Sequence, residues 1–161
     1  CRCAGLRLLA HAAGAAATLD PGALVREVAG DVAATVEPVD VEVARAVTLT
    51  ASPTALERAV RNVVENAVRY GGGARVRVAG DAAAATVVVD DDGPGIPDAD
   101  LARVFEPFSR LETSRSRETG GVGLGLAIAR TIVRAHGGEI TLANRTEGGL
   151  RATLRLPLPH R

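Results

Sequence analysis

The chain has 161 residues, enough for one domain with an apolar core, and its 47% of hydrophobic residues exclude an intrinsically disordered protein. Nineteen basic residues balance nineteen acidic ones, so the charge gives no support for nucleic acid or an anionic membrane as the main partner. All the basic residues are arginine, and the absence of lysine excludes a Walker A loop, the ordinary protein-kinase fold and Schiff-base catalysis.

The alanine-rich start of the chain, residues 1–17, predicts a short helix or a tail. Cys1 and Cys3 lie together at one end, where they cannot close a disulfide framework, and two free thiols are typical of a reducing compartment. A metal site is not supported, because no second cluster of ligands accompanies these cysteines.

The next elements are a helix and two strands. Pro21 is placed to open the helix, and the apolar residues that follow fall roughly on one face: Leu24, Val25, Val28, Val32 and Val36. Apolar and polar residues then alternate at Val39–Val43 and Val47–Thr50, which predicts a hairpin.

A strong helix follows, from Pro53 to Tyr70, with Ser52 as its N-cap and Gly71–Gly73 as its end. Its apolar stripe has helical spacing and consists of Leu56, Ala59, Val60, Val63, Val64 and Ala67. Strands are predicted at Arg75–Ala79 and Thr86–Asp90, and the three consecutive valines of the second predict burial on both faces.

The second half of the chain predicts a short helix near Asp98–Val104 and a second strong helix over about Leu124–His136. Strands at Glu139–Ala143 and Leu150–Leu156 complete the domain. Strands before, between and after the helices predict one mixed sheet with the helices on a single face.

Three polar residues of the first strong helix, Asn62, Asn66 and Arg69, project together at i, i+4 and i+7. Asparagine is unfavourable within a helix, so two of them one turn apart indicate a use. Amide oxygens suit Mg²⁺, and Arg69 could then face a phosphate. The alternative is a solvated helix face.

Three carboxylates and two glycines follow the valine strand, from Asp90 to Ile96. A calcium loop does not fit, because its acidic residues would alternate and be followed by a glutamate at the twelfth position. An acidic turn is the plain alternative. A carboxylate at a strand end, beside glycines that let the backbone approach a ligand, would suit the exocyclic amine of adenine.

A glycine-rich segment, residues 120–126, opens the second strong helix. Its backbone N–H groups at a helix N-terminus form an anion site, so we interpret it as a phosphate loop rather than a flexible linker. The dinucleotide-binding fingerprint does not fit, because the third glycine would fall at Leu126 or Ile128 and no strand directly precedes the loop.

The aromatic residues of the chain are Tyr70, Phe105 and Phe108, and each lies next to one of these polar segments. The core must therefore be aliphatic, although Phe105 could contribute to it. The polar stretch between Phe108 and Gly121 predicts a mobile lid over phosphates.

Four segments in order resemble the motifs of the ATP-binding catalytic domain of two-component sensor histidine kinases, in the superfamily of gyrase, Hsp90 and MutL ATPases. They are residues 57–70 for the N box, 91–96 for the G1 box, 105–110 for the F box and 121–126 for the G2 box. Residues 135–138 and 147–149 resemble the family's next helix end and closing segment. Any one motif would be weak, but four in order over residues 20–158 are specific.

The resemblance implies an α/β fold of the Bergerat type, a two-layer sandwich of a mixed β-sheet with about three helices on one face and an ATP lid at about residues 106–121. It also implies that residues 1–19 are the end of a dimerisation helix and linker, and that residues 20–161 are the catalytic domain.

The same resemblance places Mg²⁺ on Asn66, phosphates near Arg69 and the glycine loop, the adenine amine on Asp91, and Tyr70 on or near the adenine. The expected catalytic residues are Asn62, Asn66 and Arg69. The expected nucleotide-binding residues are Asn62, Asn66, Arg69, Tyr70, Asp91, Gly93, Gly95, Ile96, Phe108, Arg110, Gly121, Val122, Gly123, Leu124, Gly125 and Leu126.

Two positions depart from the family pattern. Gly71 stands where Thr or Ser is usual, which we take as a minor change, and Leu150 replaces a commoner threonine, so no nucleotide contact is assigned there. Gyrase-like relatives have a glutamate that activates water at the position of Asn62. The asparagine of this chain at that position argues against efficient hydrolysis of ATP. His11 lacks the sequence context of a phosphoacceptor, and His136 and His160 are taken as structural or incidental.

The function implied is binding of Mg-ATP and transfer of its γ-phosphate to a histidine on a dimerisation domain absent from this chain. A response regulator would be the further partner, the chain alone would be monomeric, and it would be the cytoplasmic part of a membrane sensor. The alternatives are an anti-sigma-factor-like serine kinase, against which the F box and residues 1–17 argue, and a degenerate nucleotide-binding module.

Overall fold

A computed structural model describes residues 15–34, 38–108 and 123–159. Its α-helices are α1 (Pro21–Ala33), α2 (Pro53–Gly71) and α3 (Gly125–Ala135). Its strands are β1 (Ala17–Leu19), β2 (Val39–Val43), β3 (Leu49–Ala51), β4 (Ala74–Gly80), β5 (Ala84–Asp90), β6 (Glu139–Asn144) and β7 (Leu150–Pro157). Two 3₁₀ turns occupy Asp98–Asp100 and Arg103–Phe105.

Five strands form one mixed sheet in the order β2-β4-β5-β7-β6. β2 runs parallel to β4, and the other neighbours are antiparallel. The three helices cover one face of this sheet, with α2 between α1 and α3. The predicted two-layer α/β sandwich is therefore confirmed.

The core is aliphatic, as the scarcity of aromatic residues predicts, and Phe105 joins it at the edge. Apolar residues of α2 pack on the inward-facing positions of the central strands, because side chains alternate between the two faces of a sheet. The largest fully buried side chains include Leu56, Val60 and Val64 of α2 and Leu154 and Leu156 of β7.

Local sequence signals set both ends of α2. The Ser52 side chain accepts a hydrogen bond from the Ala55 N–H at 3.3 Å. At the other end Gly72 has a φ of 70°, a left-handed conformation that glycine adopts without strain. Both ends are as the sequence predicts.

The predicted hairpin of Val39–Val43 and Val47–Thr50 is wrong. β2 pairs with β4, and β3 pairs instead with β1 in a separate two-stranded sheet. Alternation specifies which face of a strand is buried but not the neighbour with which the strand pairs.

Other elements also differ from the sequence-based expectations. β5 is buried on one face only, with Val88 half-buried on the other, because α1, α2 and α3 lie on the opposite side. The short helix expected near Asp98–Val104 is a pair of 3₁₀ turns. Residues 17–19 of the predicted linker form a strand, whereas residues 1–14 and Val36 lie outside the described residues. None of the helices in the described ranges combines the length and hydropathy needed to cross a membrane.

His136 links the end of α3 to the start of α2. Its Nε2 accepts a hydrogen bond from the backbone N–H of Ser52 at 3.1 Å, and its Nδ1 lies 2.8 Å from the Ile132 carbonyl oxygen. The neutral imidazole with its proton on Nδ1 satisfies both contacts. Because Ser52 is only 1% exposed, His136 has a structural role.

The substitution His136→Ala should lower the free energy of unfolding by about 1–3 kcal/mol, because the buried Ser52 N–H loses its acceptor. Urea denaturation followed by circular dichroism measures this change. Glu139→Gln, at the exposed first position of β6, is the control and should leave the unfolding midpoint unchanged. Equal midpoints for His136→Ala and the parent chain would contradict this role.

Candidate functional site

A small cavity lies between α2, α3 and the ends of three strands. Its volume is about 10 Å³, close to the room that one water molecule needs. It is lined by Val63, Asn66, Ala67, Val89, Asp91, Leu126, Leu142, Leu150 and Ala152. The walls are thus apolar apart from one amide and one carboxylate, both of which can bind polar groups of a ligand.

The carboxylate of the cavity, Asp91, follows β5 and is only 6% exposed. Its Oδ1 accepts hydrogen bonds from the Gly93 N–H at 2.9 Å and the Leu150 N–H at 3.1 Å. Its Oδ2 accepts none from the described residues. Burial raises the pKa of Asp91 above its ordinary value, and the two backbone donors offset part of that rise.

The carboxylates on either side of Asp91 are in a different environment. Asp90 accepts two hydrogen bonds from Arg151, each at 2.7 Å, and Asp92 accepts two from Arg75, also at 2.7 Å. Arg151 holds the pKa of Asp90 below its ordinary value, and Arg75, followed by Arg145, does the same for Asp92. Within the described ranges, the middle carboxylate of the three is the one that faces inward and has no bound guanidinium.

Close packing around Asp91 depends on glycines. A Cβ added at Gly71 would lie 2.5 Å from the Asp91 Cβ, and one at Gly93 would lie 2.6 Å from the Tyr70 carbonyl oxygen. Gly149 has a φ of 89°, and a Cβ there would overlap the Asp91 carbonyl. Gly71 is therefore not a minor departure, because the Asp91 side chain rests against it.

The amides of α2 lie beside the start of α3. A Cβ added at Gly125, in the first turn of α3, would lie 3.4 Å from the Asn62 Oδ1. The Asn62 Nδ2 is buried without a hydrogen-bond partner in the described part of the chain. A buried donor left unpaired is unfavourable, so this amide is suited to a ligand acceptor.

Among the described residues, no side chain caps the N-terminus of α3. Leu124 occupies the N-cap position, and Gly123 before it has a φ of 72°. The free N–H groups of the first turn can therefore bind an anion. Leu126, one residue into α3, also lines the cavity, which places this candidate anion site next to the Asp91 pocket.

Arg69 and Tyr70 lie at the exposed end of α2, with Tyr70 44% exposed. Phe108 is 69% exposed and has a φ of 64°, an unusual conformation for a bulky residue. Phe105 is buried instead, with the Arg130 guanidinium 4.8 Å from its ring centre. Arg110, Gly121, Val122 and nearly all of the predicted lid lie outside the described residues.

Sequence reasoning missed several residues that shape the site. Leu150 lines the cavity, and its N–H binds Asp91. Asn144 and Arg145 bind the backbone of the loop that contains Asp91 and Ile96. The two glycines at positions 148 and 149 are a signal for the sharp turn that brings Leu150 there, but no local pattern identifies Asn144 or Arg145.

The residues present fit a nucleotide with Mg²⁺. Asn66 offers an amide oxygen at the cavity, and the Asn62 amide has an unused donor. The described residues contain no group of three His, Cys, Asp or Glu side chains that would bind a metal alone. A site with few protein oxygens suits Mg²⁺, which keeps waters and takes phosphate ligands.

Comparisons with known proteins agree with this geometry. The family described as "Histidine kinase-, DNA gyrase B-, and HSP90-like ATPase" matches residues 51–160. The sensor histidine kinase GtrS of Pseudomonas aeruginosa is 50% identical over 105 residues, which cover 65% of this chain and 21% of GtrS. The sensor histidine kinase CpxA of Escherichia coli is 44% identical over 108 residues, 66% of this chain and 24% of CpxA.

Among solved structures, the ATP-binding domain of PrrB from Mycobacterium tuberculosis superposes with a TM-score of 0.74 at 29% identity. The match covers 91% of this chain and 100% of that one. The chain spans only about a fifth to a quarter of the length of the curated relatives GtrS and CpxA. Because the family match extends over most of its residues, the chain belongs to the histidine kinase-, DNA gyrase B- and HSP90-like ATPases.

Proposed function

We propose that this chain is the ATP-binding catalytic domain of a sensor histidine kinase, which transfers the γ-phosphate of Mg-ATP to a histidine of a dimerisation domain. The observation that carries the proposal is that one apolar cavity holds the buried Asp91 carboxylate and the Asn66 amide beside the uncapped start of α3. These groups match the three parts of a nucleotide: base, metal-bound phosphates and phosphate oxygens.

Asp91 is the proposed adenine-recognition residue. Its Oδ1 is occupied by backbone donors, so Oδ2 is available to accept a hydrogen bond from the exocyclic amine. The apolar walls contributed by Val89, Leu142 and Ala152 would contact the base. A base without the amine would leave a buried acceptor unpaired, which is the physical source of selectivity.

The phosphates would lie between α2 and the start of α3. Asn66 would hold Mg²⁺, which supplies charge neutralisation on the phosphate oxygens when bound. The Asn62 amide and the first N–H groups of α3 would donate to phosphate oxygens, and Arg69 would add the positive charge. We further propose contacts from the remaining predicted residues: Tyr70, Gly93, Gly95, Ile96, Phe108, Arg110, Gly121, Val122, Gly123, Leu124, Gly125 and Leu126.

Phosphoryl transfer needs little covalent participation from this chain. The bond between the γ-phosphorus and its bridging oxygen breaks, a bond to an imidazole nitrogen forms, ADP leaves and the imidazole proton passes to solvent. The imidazole lone pair is the nucleophile, so the chain only positions the nucleotide and stabilises charge. Asn62 cannot accept a proton, and water would therefore be activated poorly.

The partners follow from this activity. The histidine-bearing dimerisation domain and a response regulator would belong to the whole signalling system, with the parent protein as a membrane sensor and this domain on its cytoplasmic side. We expect the chain alone to be monomeric. An anti-sigma-factor-like serine kinase is not favoured, because both curated relatives described above are sensor histidine kinases.

Asp91→Asn should weaken binding of Mg-ADP by more than about tenfold, measured by titration calorimetry. Asn keeps the Oδ1 acceptor for Gly93 and Leu150 but points an NH₂ group at the adenine amine. Asp40→Asn, at an exposed position of β2, is the matched control and should bind normally. Unchanged affinity in Asp91→Asn would show that this carboxylate does not recognise the base.

The same variant should not lose stability. The pKa of Asp91 is higher in the folded chain than in the unfolded chain, so the protonated side chain favours the folded state. This stabilisation is fully present below the pKa of the unfolded chain and is lost as the pH rises through the pKa of the folded chain. At neutral pH the ionised carboxylate is therefore unfavourable, and Asp91→Asn should have an equal or higher Tm. A lowered Tm would indicate that its weak binding comes from a damaged fold.

Mg²⁺ should increase the affinity of the parent chain for ADP, and Asn66→Ala should remove that increase. In titration calorimetry the variant should bind ADP about tenfold more weakly than the parent chain at saturating Mg²⁺ and equally well without metal. Alanine favours a helix more than asparagine does, so unfolding would not explain the loss. Glu65→Ala, the exposed neighbour on α2, is the control. An equal magnesium effect in Asn66→Ala and the parent chain would exclude Asn66 as the ligand.

Gly71→Ala should weaken ADP binding about tenfold and cost about 1–3 kcal/mol of stability, because the new methyl group overlaps Asp91. Gly30→Ala in α1 is the matched control, since its Cβ would meet nothing within 4 Å. That control should bind normally and be slightly more stable. Normal binding by Gly71→Ala would mean that Asp91 tolerates displacement.

A further inference from the structure

The loop from Asp91 to Ile96 contains no helix or strand, and two consecutive residues at the end of the edge strand β6 hold it. We propose that Asn144 and Arg145 form a clip that positions this loop for adenine recognition and sets the preference of the site for a base with an exocyclic amine. They act as positioning residues and do not themselves contact the nucleotide. The inference rests on the proposed function only in taking Asp91 as the group that reads the amine.

The Asn144 side chain binds the far end of the loop as the backbone of a neighbouring strand would, through one acceptor and one donor. Its Oδ1 accepts a hydrogen bond from the Ile96 N–H at 2.9 Å, and its Nδ2 donates to the Ile96 carbonyl at 2.7 Å. The Nδ2 also donates to the Asp98 Oδ1 at 3.1 Å, where the first 3₁₀ turn begins. One side chain thus fixes both backbone groups of Ile96 and the start of the next element.

Gly95 is adapted to this contact. It has a φ of 73°, and a Cβ at this position would lie 2.6 Å from the Asn144 Oδ1. Glycine is therefore required at this position for two reasons: the Asn144 amide leaves no room for a Cβ, and the backbone has a positive φ. Asn144 therefore fills the space beside Gly95 that the glycine pattern predicts to be left for a ligand.

Arg145 binds the near end of the loop. Its Nη1 donates to the Asp91 carbonyl oxygen at 2.7 Å and to the Asp92 Oδ1 at 2.8 Å. The side chain is only 13% exposed, although it is a guanidinium. Asp92 is itself held by Arg75 on the outer face of the sheet, so Arg145 joins the loop backbone to an anchored carboxylate.

The two contacts complete the fixation of Asp91. The Asp91 N–H donates to the Leu150 carbonyl at 3.0 Å, its carbonyl accepts from Arg145, and its Oδ1 is occupied. With Ile96 bound by Asn144, the loop is held at both ends before any nucleotide enters. An acceptor fixed in advance discriminates between bases better than one that must be ordered on binding.

Two variants test the clip in the 161-residue chain. Asn144→Asp has the same shape but cannot donate to the Ile96 carbonyl or to Asp98, and Arg145→Gln cannot reach the Asp91 carbonyl in the same way. Arg77→Gln is the matched arginine control, because Arg77 pairs with Glu42 on the outer face, away from the loop.

The measurement is the ratio of the affinities for ADP and for purine riboside diphosphate, in which hydrogen replaces the amine, by titration calorimetry with Mg²⁺. Asn144→Asp and Arg145→Gln should each lower the preference for ADP by about fivefold or more, with the affinity for the analogue within about twofold of the parent chain. A role in overall stability alone would not change this ratio in a chain that remains folded. Arg77→Gln should retain the full preference.

Asp91→Asn in the same assay separates the two proposals. If it abolishes the preference for ADP while a clip variant retains it, that clip residue does not position the loop, and the proposed function stands. If Asp91→Asn itself retains the preference, Asp91 does not read the amine, and both proposals are overturned.

Hydrogen exchange of the unmodified chain provides a test that does not depend on whether the variants fold. The Ile96 amide proton, followed by NMR, should be protected before nucleotide is added, because Asn144 accepts it. Addition of Mg-ADP should then increase its protection only slightly. Fast exchange of this proton in the nucleotide-free chain would overturn the clip.

Discussion

The burial of one carboxylate is the constraint on which the site depends. The Asp91 side chain is removed from water, and the only hydrogen bonds that its carboxylate accepts within the described residues come from two backbone N–H groups. A buried charge with so few partners is unfavourable, and the raised pKa of Asp91 expresses that cost. The packed strands and the glycines at positions 71, 93 and 149 hold this carboxylate in place, because the glycines let the backbone lie directly against Asp91. A carboxylate in this state gains more from an added donor than a solvated one would, which is the physical basis for the proposed recognition of an amine.

The arginines of this lysine-free chain divide the acidic segment into two classes. Alternation along the strand end directs Asp90 and Asp92 to the outer face and Asp91 inward. Asp90 accepts two hydrogen bonds from Arg151, and Asp92 accepts two from Arg75 and a third from Arg145. The outer pairs anchor the backbone on both sides of the inward carboxylate. The proposed phosphate site differs in its polar groups, which are amides and backbone N–H groups of the first turn of α3, with Arg69 at the exposed end of α2. Such groups bind anions without the desolvation cost of a buried cation.

The sequence was sufficient for the layers, the helices and most strands, because their signals are local: the stripe of α2, its Ser52 cap and the glycines at its end. It was insufficient where partners are distant. The alternation of β2 did not reveal that it pairs with β4 instead of β3. Asn144 lies 48 positions from Ile96, and Arg145 lies 54 from Asp91, so no periodicity links them. The family resemblance, and no local pattern, predicts the convergence of Asn66, Asp91 and Leu126 on one cavity. The roles of Leu150 and Gly71 arise only from tertiary packing against Asp91.

The glycines of the acidic loop lead to a different interpretation from the one that their sequence suggests. Glycine beside a suspected ligand site is usually taken to leave room for the ligand, yet the space beside Gly93 is filled by the Tyr70 carbonyl, and that beside Gly95 by the Asn144 amide. Both glycines therefore permit contacts within the protein that hold the loop in one conformation. A loop ordered by its own chain loses little conformational entropy when a base binds, so more of the binding free energy remains for discrimination. Since these contacts come from α2 and β6, the proposed selectivity of Asp91 for a base would depend on residues far from it along the chain.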